Sequence, residues 1–159
     1  MANRDNSHIG RAYQEHVLEL LRQEGYVKHE VDHRHESGVE VDLLMQSRTT
    51  GEFLYVETKC SQPGTDQPGM YRSDNILKFL GSVHILATWQ MLNPDQPAHR
   101  LCRYTLITSD LPSRNHNAYA RALWLELELG TIDGLREVPW GGWHPDPELP
   151  LWETTTSDD

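Results

Sequence analysis

Two cysteines, Cys60 and Cys102, stand in a chain of 159 residues. That is too few for a disulfide framework and suits a reducing compartment. No stretch approaches the ~18 consecutive apolar residues that cross a bilayer, which leaves no expected membrane contact. Met1-Ala2-Asn3-Arg4-Asp5-Asn6 leads into no apolar run of the kind a secretory leader carries, so a cytoplasmic protein is expected. Positive charge is also scarce. Against 24 Asp and Glu there are 14 Lys and Arg, only three of them lysines (Lys28, Lys59 and Lys78), for a net charge of −10. A protein that grips polyanions nonspecifically draws its affinity from Lys and Arg displacing counterions, and this composition argues against that class. It leaves open an acidic site whose bound cations hold phosphate. The imbalance is uneven: −4 over residues 1–60, zero over 61–110 and −6 over 111–159. Neither a nucleotide-cradling glycine loop nor a Ser-His-Asp ordering is present, and no segment repeats.

What is present fits one α/β domain of a size that buries a core without staples. Tyr13, Val17, Leu20 and Leu21 fall at helical spacing, and Gly25 stands where a glycine ends a helix, so residues 10–25 are predicted helical. Three short runs rich in β-branched and aromatic residues follow: 26–31, 39–45 and 52–60. Ser37-Gly38 and Thr49-Thr50-Gly51 separate them, which predicts an antiparallel meander. After a Pro/Gly loop over 61–69 come a helix from Ser73, as N-cap, toward Trp89, a strand at 101–108, and a helix over 113–129 with Ala118, Ala122, Leu125 and Leu129 on one face. The expected order is αβββαβα in a body of residues 1–137. Residues 138–159 form a tail with four of the nine prolines, three of the five tryptophans (Trp140, Trp143, Trp152) and no Lys or Arg. Its tryptophans are expected to dock back onto the body, with a partner-binding segment as the alternative, and its last seven residues to lack fixed structure.

The chemistry concentrates at Asp42 and at Glu57-Thr58-Lys59. Alternate strand residues share a face, so Glu57 and Lys59 point one way and Thr58 the other. If the neighbouring strand sets Asp42 beside Glu57, two carboxylates meet with an ammonium at their edge. Such oxygens suit one or two Mg2+ or Mn2+ ions, which keep waters and accept phosphate oxygens, and Lys59 would orient the attacking water and offset developing charge. The plain alternative is an exposed cross-strand ion pair of little energetic weight. Glu40 shares a strand face with Asp42 and is either a third carboxylate or a solvated edge residue. His29, His33 and His35 with Asp32 and Glu36 match no closed zinc spacing and read as a polar hairpin. Cys60 reads as a small core residue.

These residues, in this order of elements, resemble the PD-(D/E)xK nuclease superfamily, and within it the Mrr-type restriction endonucleases and the archaeal Holliday-junction resolvases. The resemblance runs from about Gly10 to Leu129. It rests on Gly10-x-x-Tyr13-Gln14, Gly25-Tyr26, Val39-Glu40-Val41-Asp42-Leu43-Leu44, Val56-Glu57-Thr58-Lys59 and Leu106-Ile107-Thr108-Ser109-Asp110, with Val41 in the place of the eponymous Pro. It implies a restriction-endonuclease-like mixed sheet flanked by helices. It also implies metal held by Asp42, Glu57 and the Thr58 carbonyl, catalysis by Lys59, and hydrolysis of phosphodiester bonds in nucleic acid, with DNA as the expected substrate. Gln14 matches the family's site-facing position on the first helix, while Glu15 points to solvent; a neutral Gln could hold a metal-bound water without adding charge. Arg72, Lys78, Arg100 and Arg103, in the locally neutral middle, are the candidate phosphate contacts. The acidic surface implies a homodimer or a partner recognition subunit. A non-catalytic interaction protein and a junction resolvase are the alternatives.

Overall fold

The computed structural model describes residues 2–61, 69–95 and 103–140. The first helix, α1 (Ala2–Gln23), begins well before Gly10, because the polar residues ahead of Ile9 add turns without adding to the apolar stripe that marks the helix in sequence. Gly25, at φ 95, then turns the chain as expected, its N–H donating to the Arg22 carbonyl. Strands β1 (Tyr26–Arg34), β2 (Glu40–Ser47) and β3 (Phe53–Lys59) form the antiparallel meander predicted from their composition. Its turns pass through Gly38 and Gly51, both at positive φ. A register shift between Lys28 and Glu30 and a left-handed Asp32 (φ 51) twist β1 away from regular alternation.

A short 3₁₀ turn (Gly69–Tyr71) precedes α2 (Ser73–Leu92). Arg72, not Ser73, occupies the N-cap position, without a side-chain cap bond; its guanidinium is turned to Asp74 instead. Strand β4 (Arg103–Thr108) lies parallel to β3. Helix α3 spans Ala118–Leu129 rather than starting at 113, because Asn117 caps it by accepting from the Ala120 N–H at 2.8 Å. Its inward face also differs from expectation: Ala120 and Leu123 are buried, whereas Leu125 and Leu129 are exposed. Leucine at every second position gives two equally periodic pairs, and spacing cannot choose between them.

A fifth strand, β5 (Gly134–Glu137), pairs parallel with β4 and corrects the expected order to αβββαβαβ. With one large apolar residue in Gly-Leu-Arg-Glu, it carries no strand signal of its own. Gly134 lies close under β4, where a Cβ would meet the Thr105 side chain at 3.1 Å, a tight contact.

The result is a five-stranded mixed sheet, ordered β1-β2-β3-β4-β5, with helices on both faces. On one face α1 buries Tyr13, Val17 and Leu21 against Leu43, Met45, Val56 and Ile107. On the other, α2 and α3 bury Ile76, Phe79, Val83, Leu86 and Leu123 against Leu44, Tyr55, Tyr104 and Leu106. Two parallel crossovers therefore bring the carboxyl ends of β3, β4 and β5 to one edge of the molecule. Past β5, Val138 donates its N–H to the Thr108 carbonyl and Trp140 packs edge-on against Tyr13 at 5.5 Å, so the tail's first tryptophan does dock on the body. Trp143, Trp152 and the end of the tail lie outside the described residues. Among the described residues no helix is long and apolar enough to cross a membrane.

Candidate functional site

Ladder pairing between β2 and β3 ends at Leu43↔Val56, and one step on the same register sets Asp42 opposite Glu57. There the Asp42 side chain takes over from the ladder: its Oδ2 accepts from the Thr58 N–H and from the Thr58 hydroxyl, both at 2.8 Å. Two donors on one oxygen fix the carboxylate at the edge of β3 and leave its Oδ1 out of both bonds. A strand residue turns its N–H and C=O to the same side, so the Thr58 carbonyl faces this same opening. The Lys59 carbonyl faces the other way, accepting from the Ser109 N–H at 3.0 Å.

Gln14 is buried on α1 and donates from Nε2 to the Asp42 backbone carbonyl at 3.2 Å. It therefore steadies the end of β2 that carries the carboxylate. Glu15 is exposed, as the helical geometry predicted. Glu40 is exposed as well and ion-paired with Arg34 across the hairpin, so it supplies no third carboxylate.

Glu57 and Lys59 emerge on the α2 side of the sheet and line one cavity of about 120 Å3. Its roof is α2, through Asn75, Lys78, Phe79 and Ser82, and Tyr104 and Leu106 of β4 complete the floor. Asp42 is not among the lining residues, but its charge reaches inside. Burial first, and the Asp42 carboxylate second, push the Glu57 carboxyl up to about 8, with Lys59 partly opposing them. Burial also raises the Tyr104 phenol well above its usual range, reinforced by Glu57 and Asp42, so Tyr104 faces the cavity as a neutral hydroxyl. On the opposite face burial pushes the Cys60 thiol up to about 11, which makes it the inert packing residue expected.

Of the three candidate phosphate contacts among the described residues, only Lys78 lines the cavity. Arg72 is paired with Asp74 on the surface. Arg103 is paired with Asp133 and Glu52, and the parallel register sets it beside Leu54, five residues or about 17 Å from the Lys59 end of the strand. Arg100 lies outside the described residues. Sequence reasoning missed Asn75, Ser82 and Tyr104. Asn75 and Ser82 sit three before and four after Lys78, a helical spacing that was legible once Lys78 was singled out; Tyr104 gave no signal.

The histidine cluster disperses. His33 meets Glu30 at 2.7 Å, while His35 is buried against Trp89 (ring centroids 4.5 Å) and accepts the Ser37 N–H at Nδ1. Among the described residues no three His, Cys, Asp or Glu gather around a point that could hold a metal. Two carboxylates and one carbonyl nonetheless suit Mg2+, which is commonly bound through one or two carboxylates and keeps several waters. Burial first and the Asp42 carboxylate second raise Glu57, and a divalent ion held between the two carboxylates would offset the second of these. The oxygen-only donor set fits Mg2+ or Mn2+ and not zinc. No family of known proteins, no characterised protein and no solved structure matches this chain.

Proposed function

We propose that this chain is a metal-dependent nuclease of PD-(D/E)xK type, with a restriction-endonuclease-like core, that hydrolyses phosphodiester bonds in DNA. One observation carries the reading. At the carboxyl end of β3, Glu57 and Lys59 enter a single cavity, and the Asp42 carboxylate, locked onto Thr58, bears on Glu57 from the adjoining strand. An exposed cross-strand ion pair would instead leave Glu57 solvated and close to its ordinary ionisation, which is the opposite of what burial and Asp42 do here.

Asp42, Glu57 and the Thr58 carbonyl would hold the ion, and a Mg2+ or Mn2+ bound there supplies an acidified water and positive charge against the phosphate oxygens. Thr58 keeps the Asp42 carboxylate in one orientation through its N–H and hydroxyl. Gln14 fixes the backbone beneath it. Lys59 projects into the same cavity as Glu57, where its ammonium can orient the attacking water and offset charge developing on the phosphoryl group.

The test is cutting of supercoiled, linear and single-stranded DNA, and of RNA, with Mg2+, Mn2+ or EDTA, beside Asp42→Ala and Lys59→Ala. Metal-dependent cutting of DNA, abolished by either substitution, is expected. Cutting that survives EDTA, or that neither substitution affects, overturns the mechanism.

A further inference from the structure

Two of the chain's three lysines line the same cavity, Lys59 from the sheet and Lys78 from α2. Its lining sets these two ammonium groups against one carboxyl, Glu57, with Asp42 acting from the adjoining strand, in a protein of net charge −10. Neither ammonium forms an ion pair with another described residue, whereas Arg72 and Arg103 are both paired with acids. Lys59 has the Glu57 carboxyl beside it, while Lys78 is exposed at the cavity's rim with no acid paired to it among the described residues. Of the other polar groups in the roof, Asn75 donates from Nδ2 to the Gly69 carbonyl at 2.6 Å and Ser82 is hydrogen-bonded to Tyr104, so both are held in place beside Lys78. Asn75, Lys78, Phe79 and Ser82 form one stripe of α2, and Phe79 is stacked on Tyr104 at 5.2 Å, which holds the polar members over the strand ends. The cavity, of about 120 Å3 and partly open to solvent, has room for a tetrahedral oxyanion.

We infer that the cavity is a single-phosphoryl pocket in which Lys78, flanked by Asn75 and Ser82, holds one phosphate from the helix side while Lys59 meets it from the sheet. Assigning that phosphate to a nucleic-acid strand rests on the nuclease reading; the pocket itself does not. Lys78 is then a positioning residue, and it gives an acidic protein a local means of gripping a polyanion.

The experiment uses the full chain and the variants Lys78→Met and Lys78→Arg. Inorganic phosphate is titrated without metal and followed by amide NMR shifts at residues 57–59 and 75–82. KM and kcat on a short DNA duplex are measured with Mg2+ across a salt series. Lys78→Met should weaken phosphate binding and raise KM about tenfold, with kcat changed by less than about threefold and the salt slope lower by about one. Lys78→Arg should restore most of the loss, and the exposed position of Lys78 should leave the thermal midpoint unchanged. If phosphate moves no resonance around the cavity, or binds Lys78→Met as well as wild type, the inference fails. If DNA is cut in a Lys59-dependent way but Lys78→Met keeps its KM, the inference fails and the nuclease reading stands. If phosphate binding depends on Lys78 and no nucleic acid is cut, the pocket stands and the nuclease reading falls.

Discussion

Glu57 should make the metal-free protein less stable as pH rises, the reverse of the usual carboxylate effect. Its carboxyl moves from 4.5 to about 8 on folding, chiefly by burial and then by Asp42. The folded state therefore binds the proton more tightly than the unfolded chain does. Between these two values the native protein carries more protons, so unfolding free energy falls as pH rises. At 1.36 kcal/mol per pH unit the full span corresponds to roughly 3–5 kcal/mol, complete once pH passes the folded value. His16, lowered by burial beside Trp140, works in the opposite sense and destabilises the native state as pH falls below its ordinary range. The measurement must therefore isolate Glu57. Urea unfolding of wild type and Glu57→Gln in EDTA, from pH 5 to 8.5, does so by difference, because the amide mimics the protonated acid at every pH. Glu57→Gln should gain on wild type by a growing margin toward pH 8, on the order of a few kcal/mol. Saturating Mg2+ should restore wild type, by about 2.7 kcal/mol at one hundred times its Kd, and leave Glu57→Gln with less gain. Parallel curves for the two proteins in EDTA would refute the reasoning.

Thr58→Val keeps the backbone N–H bond to Asp42 and removes the hydroxyl bond; it should cost about 1–2 kcal/mol in chemical denaturation and lower kcat about tenfold while leaving metal-dependent cutting detectable. Tyr13→Phe removes a buried hydroxyl that donates to the Val138 carbonyl at 2.9 Å, and a loss of about 1–2 kcal/mol with faster amide exchange at residues 138–140 should follow. In a Cys102→Ser background, the Cys60 thiol at about 11 should react with a disulfide reagent at pH 8 far more slowly than in urea, and equal rates would contradict its burial.

The local half of the site was legible because it is written in strand alternation. β-branched runs and glycine turns identified the meander, and alternation put Glu57 and Lys59 on one face with Thr58 on the other, where it clamps Asp42. What sequence could not supply was direction and depth. Arg103 opens a strand whose neighbour is known, yet only the parallel pairing of β3 with β4 decides that it lies beside Leu54 and away from Lys59. Strand β5 exists because β4 offers it an edge; its own residues would not form it. The same dependence on long-range placement explains Tyr104 and Ser82, ordinary residues in sequence that become cavity walls only when α2 crosses back over the strand ends. Charge follows this rule too. The zero balance of residues 61–110 gave Arg72, Lys78, Arg100 and Arg103 equal standing, but a cation is available to phosphate only where no carboxylate already holds it. The fold pairs Arg72 and Arg103 with acids and sets Lys78, exposed, at the rim of the cavity. Which cations of an acidic chain are left without an acid is thus a property of topology that a count of charges does not contain.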